Sequence, residues 1–153
     1  MSKELRFDGK VAIVTGAGGG LGRSHAPLLA SRGAKVVVND LGGSFTGEGK
    51  SASAADKVVD EIKAAGGTAV ANYDSVTDGD KIVKTAIDGF GGLDIIINNA
   101  GYTWDNVIQK MTDEQWYAIL DVHLTAPFRV LRAFFPLLKA RVEAERKEGI
   151  RIV

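Results

Sequence analysis

The stretch Val11-Ala12-Ile13-Val14-Thr15-Gly16-Ala17-Gly18-Gly19-Gly20-Leu21-Gly22 decides the fold. Its first half is short, continuous and rich in β-branched residues, the pattern of a strand buried on both faces of a parallel sheet. Its second half is a glycine tract. Glycine reaches positive φ at little cost and lets backbone approach a ligand closely, while the first turn of a following helix has N–H groups with no partner inside the helix. Strand, glycine tract and helix start together predict a seat for the pyrophosphate of a dinucleotide. The competing reading is a plain flexible loop.

The chain in sequence order supports an α/β alternation. Leu21, Leu28 and Leu29 mark the sheet-facing side of a first helix that stops near Arg32-Gly33, with Pro27 predicted to kink it or delay its start. Lys35-Val36-Val37-Val38-Asn39 is a second buried strand. It ends at Asp40, eighteen residues past Gly22, where a carboxylate can accept hydrogen bonds from an adenosine ribose and would repel the extra phosphate of NADP. At about 4 Å and an effective dielectric near 20, one unit-charge pair amounts to roughly 4 kcal/mol, so NAD is the expected cofactor. A solvated loop carboxylate is the alternative.

Gly42, Gly43, Gly47 and Gly49 predict a linker up to about Lys50, with a second phosphate site as the competing reading. A crossover helix follows on Ala55, Val58, Val59 and Ile62, then a third strand, Thr68 to Asn72. Tyr73-Asp74-Ser75-Val76 comes next, either an adenine edge or a simple turn, and Thr77 is the expected cap of a helix carrying Ile82, Val83, Ala86, Ile87 and Phe90. Leu93 to Ile97 forms a fourth strand that runs into Asn98-Asn99-Ala100-Gly101, either a wall beside the nicotinamide, since parallel sheets bind ligands at the ends of their strands, or a structural turn. Thr112 and Gln115 form a capping box. Beyond it an apolar stripe of Trp116, Ile119, Leu120, His123, Leu124, Phe128, Leu131, Phe134, Phe135 and Leu138 is too wide for one sheet contact, Pro127 and Pro136 predict bends, and Arg141 to Glu148 reads as a solvated helix end. Ile150 to Val153 opens a fifth strand.

Composition bounds the function. Nineteen basic residues balance nineteen acidic ones, so no overall field favours nucleic acid or an anionic membrane. No run of about eighteen apolar residues offers a membrane span, and Met1-Ser2-Lys3-Glu4 lacks the apolar core of a secretory signal, so a cytoplasmic protein is expected, with a peroxisomal one left open. Without cysteine, and with only His25 and His123, no structural metal is expected. Small molecules are the expected partners.

The glycine tract, Asp40, the tract at Asn98 and the long capped helix together make the chain resemble the short-chain dehydrogenase/reductases. The family's Thr-Gly-x-x-x-Gly-x-Gly is met by Thr15, Gly16, Gly20 and Gly22, and its Asn-Asn-Ala-Gly by Asn98 to Gly101. Leu5 to Lys10, Asn39 to Gly43 and Ala71 to Val76 look like the (3R)-hydroxyacyl-CoA dehydrogenase portion of peroxisomal multifunctional β-oxidation enzymes. Tyr102 to Asp105 and Val122 to Phe128 look more like bacterial reductases of the 3-oxoacyl-carrier-protein type.

The resemblance implies a Rossmann-type doubly wound parallel sheet of strand order 3-2-1-4-5, cut short at its fifth strand, with residues 1–153 the N-terminal portion of a longer dehydrogenase domain. It also implies an NAD-dependent oxidoreductase interconverting a secondary alcohol and a ketone, with a 3-hydroxyacyl thioester as substrate. Gly16, Gly20, Leu21 and Gly22 would then surround the pyrophosphate, Asp40 the ribose, Asp74, Ser75 and Val76 the adenine, and Asn99, Ala100 and Gly101 the nicotinamide side. Many members carry an asparagine at the position of His123, which here is expected to be a satisfied core residue rather than a catalytic one. The family's catalytic serine, tyrosine and lysine have no counterparts: four residues after Tyr73, Tyr102 and Tyr117 stand Thr77, Asn106 and Asp121. They are expected beyond Val153. The rival expectation is a catalytically inactive NAD-binding fragment or interaction module. Either way the helix containing Trp116 to Leu138 is expected to join copies into a homo-oligomer.

Overall fold

The computed structural model describes residues 4–42, 53–143 and 151–153. The linker expected after Gly42 and the helix end expected after Glu143 fall outside the described residues. Five parallel strands, β1 (Val11–Thr15), β2 (Lys35–Asn39), β3 (Thr68–Asn72), β4 (Ile95–Ile97) and β5 (Arg151–Ile152), lie in the order β3-β2-β1-β4-β5. Among the described residues five α-helices accompany them: α1 (Gly20–Ser31), α2 (Ser53–Ala64), α3 (Gly79–Phe90), α4 (Asp113–Leu120) and α5 (Ala126–Glu143).

Strand alternation sorts the core into two layers, because successive side chains of a strand leave on opposite faces. Ala12, Val14, Val36 and Val38 pack with Ala26, Leu29 and Ala30 of α1 and Ala55, Val58, Val59 and Ile62 of α2. Val11, Ile13 and Val37 pack on the other face with Ile82, Val83 and Ala86 of α3 and Val130 and Phe134 of α5. The expected α1 face is corrected in part: Leu29 is buried as read, but Leu21 is 72% and Leu28 53% exposed, and the small residues Ala26 and Ala30 line the contact beside Leu29. A helix that must approach the sheet closely, as one following a phosphate loop does, is served by Gly22, Ala26 and Ala30 with Leu29 as its one large contact. Pro27 lies within α1 without ending it.

Two further expectations shift. The residue at the start of α3 is Asp78, not Thr77, and no side chain caps it. Gly79 opens that helix where α5 crosses, and a Cβ there would stand 2.5 Å from the Val130 nitrogen. The capping box of Thr112 and Gln115 forms as read, with Thr112 Oγ1 accepting from the Gln115 amide at 3.2 Å.

Helices α4 and α5 are joined by one wide turn, Asp121–Thr125, in which the Ala126 amide reaches back to the Asp121 carbonyl. Pro127 has no N–H for the carbonyl four residues earlier, and an i→i+5 turn is one way to absorb that defect. Pro136, by contrast, sits inside an uninterrupted α5. The stripe read from sequence is corrected: of its members Phe134 is buried, whereas Trp116, Leu124, Phe128 and Phe135 stay more than half exposed, and the buried set is completed by Val122, Ala126 and Val130, which the stripe did not include. Arg141 departs from the solvated end expected of it. Its guanidinium donates to the Leu93 carbonyl and to Asp94 Oδ1, each at 2.5 Å, while Asp94 Oδ2 accepts from the Val11 amide at 2.8 Å.

Candidate functional site

The parallel sheet brings the turns after β1, β2, β3 and β4 to one edge. There a cleft of about 360 Å³ is lined by Gly16, Gly18, Gly19, Gly20, Leu21, Asp40, Ala54, Asn99, Ala100 and Gly101. A second lobe of about 390 Å³ shares Gly16, Asp40, Ala100 and Gly101 and adds Ser75, Val76 and Thr77. Residues read from four separate stretches thus meet in one trough. Gly22 and Asp74 are the exceptions and line neither lobe: Gly22 is buried beneath the glycine turn, and Asp74 is turned toward Asn72.

Each glycine has its own reason. Gly16 adopts φ +62 and lies so close to the Asn98 tract that a Cβ would stand 2.8 Å from the Ala100 Cα. A Cβ on Gly22 would stand 2.3 Å from the Gly16 oxygen and 2.6 Å from Asn99 Nδ2, and one on Gly18 would stand 2.8 Å from the Asp40 carboxylate. Gly19 and Gly20 face open space, with nothing within 4 Å of a built Cβ. The tract is therefore packed on one side and open on the other, the form of a cradle.

Thr15 holds the two halves of the cradle together. Its Oγ1 accepts from the amides of Asn99 and Ala100, both at 3.0 Å, and donates to the Ile97 carbonyl at 3.3 Å. Asn99 replies through Nδ2, which donates to the carbonyls of Thr15 at 2.9 Å and Gly16 at 3.2 Å. Thr15→Val keeps the shape but strips two partly buried amides of their acceptor, costing about 3 kcal/mol. A fall of roughly 10 °C in Tm by scanning calorimetry is the expected result.

Asp40 spans both lobes. Oδ2 accepts from the Gly18 amide at 2.8 Å and Oδ1 from the Gly42 amide at 2.7 Å, so this carboxylate fixes the glycine turn as well as facing the cleft. Sequence spacing placed Asp40 here, but its bond to Gly18 was invisible in it.

A dinucleotide fits these groups. The first turn of α1 contains no acidic residue to oppose a phosphate, its leading amides are free by helix geometry, and the open faces of Gly19 and Gly20 leave room above them. Among the described residues no cluster of three His, Cys, Asp or Glu side chains could hold a metal ion.

The catalytic question has a different answer. Tyr73 donates its hydroxyl to Asp56, and that bond with burial raises its pKa above the usual tyrosine value, opposite to what a base needs. The Tyr102 hydroxyl donates to the Ala118 carbonyl at a long 3.5 Å, and Tyr117 is 62% exposed. His123 is not the core residue expected from its stripe. It is exposed on the wide turn, with Nε2 2.9 Å from the Tyr102 carbonyl and its ring against Gly101, where a Cβ would meet Cε1 at 2.6 Å. Gly101 thus has a steric reason that its motif did not disclose.

Known proteins resemble this chain. A sequence profile described as short chain dehydrogenase matches residues 10–153. Peroxisomal multifunctional enzyme A of Dictyostelium discoideum is 64% identical over 84% of this chain, which spans 29% of that protein. The 3-oxoacyl-[acyl-carrier-protein] reductase of a Synechocystis species is 40% identical over 84% of the chain, against half of its own length. A solved short chain dehydrogenase from Mycobacterium avium superposes with a TM-score of 0.84 and 44% identity, covering 95% of this chain and 51% of that one.

Proposed function

The chain belongs to the short-chain dehydrogenase family, and we propose that it forms the cofactor-holding part of an NAD-dependent oxidoreductase that interconverts a secondary alcohol and a ketone. The observation that carries this reading is the single trough in which the glycine turn, Asp40 and Asn99 to Gly101 face one another. In it, Gly16, Gly20 and Leu21 border the pyrophosphate, Gly22 shapes the turn from below, Asp40 takes the ribose, Ser75 and Val76 border the adenine with Asp74 behind them, and Asn99 to Gly101 wall the nicotinamide side. When bound, the nicotinamide supplies the hydride chemistry. The chain's own work is to grip, orient and shield one edge of that group from water. The substrate proposed is a 3-hydroxyacyl thioester, a choice supported by the kinship with a 3-oxoacyl-carrier-protein reductase.

None of the three tyrosines has a lysine four residues on, so we place the proton-transferring groups outside residues 1–153 and expect this stretch to bind without turnover. The test is a fluorescence titration with NADH and NADPH beside an assay on a 3-hydroxyacyl-CoA. Saturable NADH binding, weaker NADPH binding and no turnover are expected. Binding of neither nucleotide would remove the cofactor assignment, and turnover would remove the cofactor-only reading.

The exposed Trp116, Tyr117, Leu124, Phe128 and Phe135 support self-association through α4 and α5. Sedimentation at micromolar concentration should show a dimer or larger species that Phe128→Glu shifts toward monomer. A monodisperse monomer of the unaltered chain would contradict this. The peroxisomal name of the Dictyostelium relative favours a peroxisomal setting over the cytoplasmic one expected from the N-terminus. Among the described residues no helix is long and apolar enough to cross a membrane.

A further inference from the structure

Behind the second lobe lies a polar network that the glycine motif does not explain. Asn72 Nδ2 donates to Asp74 Oδ2 at 2.8 Å and to Thr85 Oγ1 at 2.9 Å. Its Oδ1 accepts from Asn39 Nδ2 at 2.7 Å and from the Asp74 amide at 3.1 Å. A carboxamide has two N–H donors and two carbonyl lone pairs, so all four capacities of Asn72 are used. Asn39 Nδ2 also donates to the Asp74 carbonyl at 2.9 Å, and Thr85 passes its own proton to the Lys81 carbonyl at 3.0 Å. Asn39 and Asn72 are 1% and 4% exposed.

These bonds go where the sheet does not need them. Asn39 and Asn72 are already paired through the parallel ladder of β2 and β3, so their backbones are fixed before either side chain acts. What the side chains add is control of the residues beyond the strand ends. Asp74 is held through its amide, its carbonyl and its carboxylate at once, and the next two residues, Ser75 and Val76, line the cleft.

We propose that Asn72 is a positioning residue for the adenine half of the dinucleotide: its saturated amide locks Asp74 and thereby aims Ser75 and Val76 into the second lobe. This deepens the dinucleotide reading given above and rests on it. Asparagine is specified because the position needs two donors and an acceptor within one short side chain. Aspartate has the same shape but would set a carboxylate oxygen at the 2.8 Å contact with Asp74 Oδ2, where like charges repel.

The test compares AMP, which has only the adenine half, with NADH by isothermal titration. For Asn72→Asp, both affinities should fall by one common factor of about tenfold or more while the protein still melts cooperatively. Thr85→Val lies outside both lobes and removes one of the four bonds, so it should produce the same parallel loss at about threefold, and it decides the matter if Asn72→Asp does not fold. Unchanged AMP affinity in a folded variant, or a loss of NADH binding that AMP does not share, would overturn the positioning role and leave the dinucleotide reading standing. Failure of the unaltered chain to bind either nucleotide would overturn both.

Discussion

Gly22→Ala is expected to weaken NADH binding by about two orders of magnitude and to lower Tm, although it adds a single uncharged methyl group. The added Cβ would lie 2.3 Å from the Gly16 oxygen, 2.6 Å from Asn99 Nδ2 and 2.9 Å from the Ala17 Cα, and two of those three atoms are backbone. No rotamer relieves such a contact, so the turn itself must move. Moving it parts Gly16 from Asn99 and opens the seam that Thr15 and Asn99 close from both sides. Overpacking of this kind costs about 1–3 kcal/mol in stability, and displacement of the cradle adds its own loss to binding. Gly19→Ala is the matched control. Its φ is −154° and a Cβ there meets nothing within 4 Å, so its Tm should equal that of the unaltered chain. Differential scanning calorimetry with an NADH titration on both variants checks the pair. Equal behaviour of the two would show that the glycine turn is not held against the Asn98 tract.

Asp40→Ala should reverse the choice of cofactor. One carboxylate facing a ribose phosphate at about 4 Å opposes it by roughly 4 kcal/mol at an effective dielectric of 20, a figure that salt and partial exposure reduce to about half. The expected swing in the ratio of NADH to NADPH affinity is therefore about two orders of magnitude, or somewhat less. Part of it will come from lost NADH binding, because the Gly18 and Gly42 amides lose their acceptor together with the ribose. Asp40→Asn separates these contributions. It removes the charge but keeps an oxygen for Gly18, so NADPH should improve about as much as in the alanine variant while NADH loses less. Unchanged NADPH affinity in both variants would mean that charge at position 40 does not select the cofactor.

The centre of the sheet was legible because β1 and β2 are buried on both faces. Val11 to Val14 and Val36 to Val38 read as unbroken apolar runs, and in that environment a run of β-branched residues has few other solutions. The helices were read correctly in place but less well in orientation. On α1 the leucines drew attention as the obvious apolar positions, yet of Leu21, Leu28 and Leu29 it is Leu29 that joins the core, beside Ala26 and Ala30, since close approach as well as bulk governs that contact. On α5 the wide turn at Asp121–Thr125 rotates the residues after it, and periodicity counted straight through Pro127 could not foresee that Val122, Ala126 and Val130 would be the buried set.

The site was legible as a set of positions and hidden as a set of contacts. Glycine spacing and Asp40 followed from what a pyrophosphate and a ribose require. Nothing in spacing says that Asp40 binds Gly18, that Thr15 bridges to Asn99 and Ala100, or that Asn39 and Asn72 share a hydrogen bond across 33 residues of chain. Each of these joins strands adjacent in the sheet but distant in sequence, so each depends on topology. Polar residues at the ends of buried strands were the available signal: Thr15, Asn39 and Asn72 are all nearly inaccessible to solvent, and a buried polar side chain implies a partner.

The central claim is that one trough, built on the glycine turn and Asp40, holds a dinucleotide. Its most direct test is a ¹H–¹⁵N correlation spectrum of the labelled chain recorded during NADH addition. Saturable shifts should concentrate on the amides of Gly16, Gly18 to Gly22, Asp40, Ser75, Val76 and Asn99 to Gly101, with the amides of α5 beyond Phe134 unmoved. Shifts that avoid the glycine turn, or a spectrum unchanged at millimolar NADH, would contradict it.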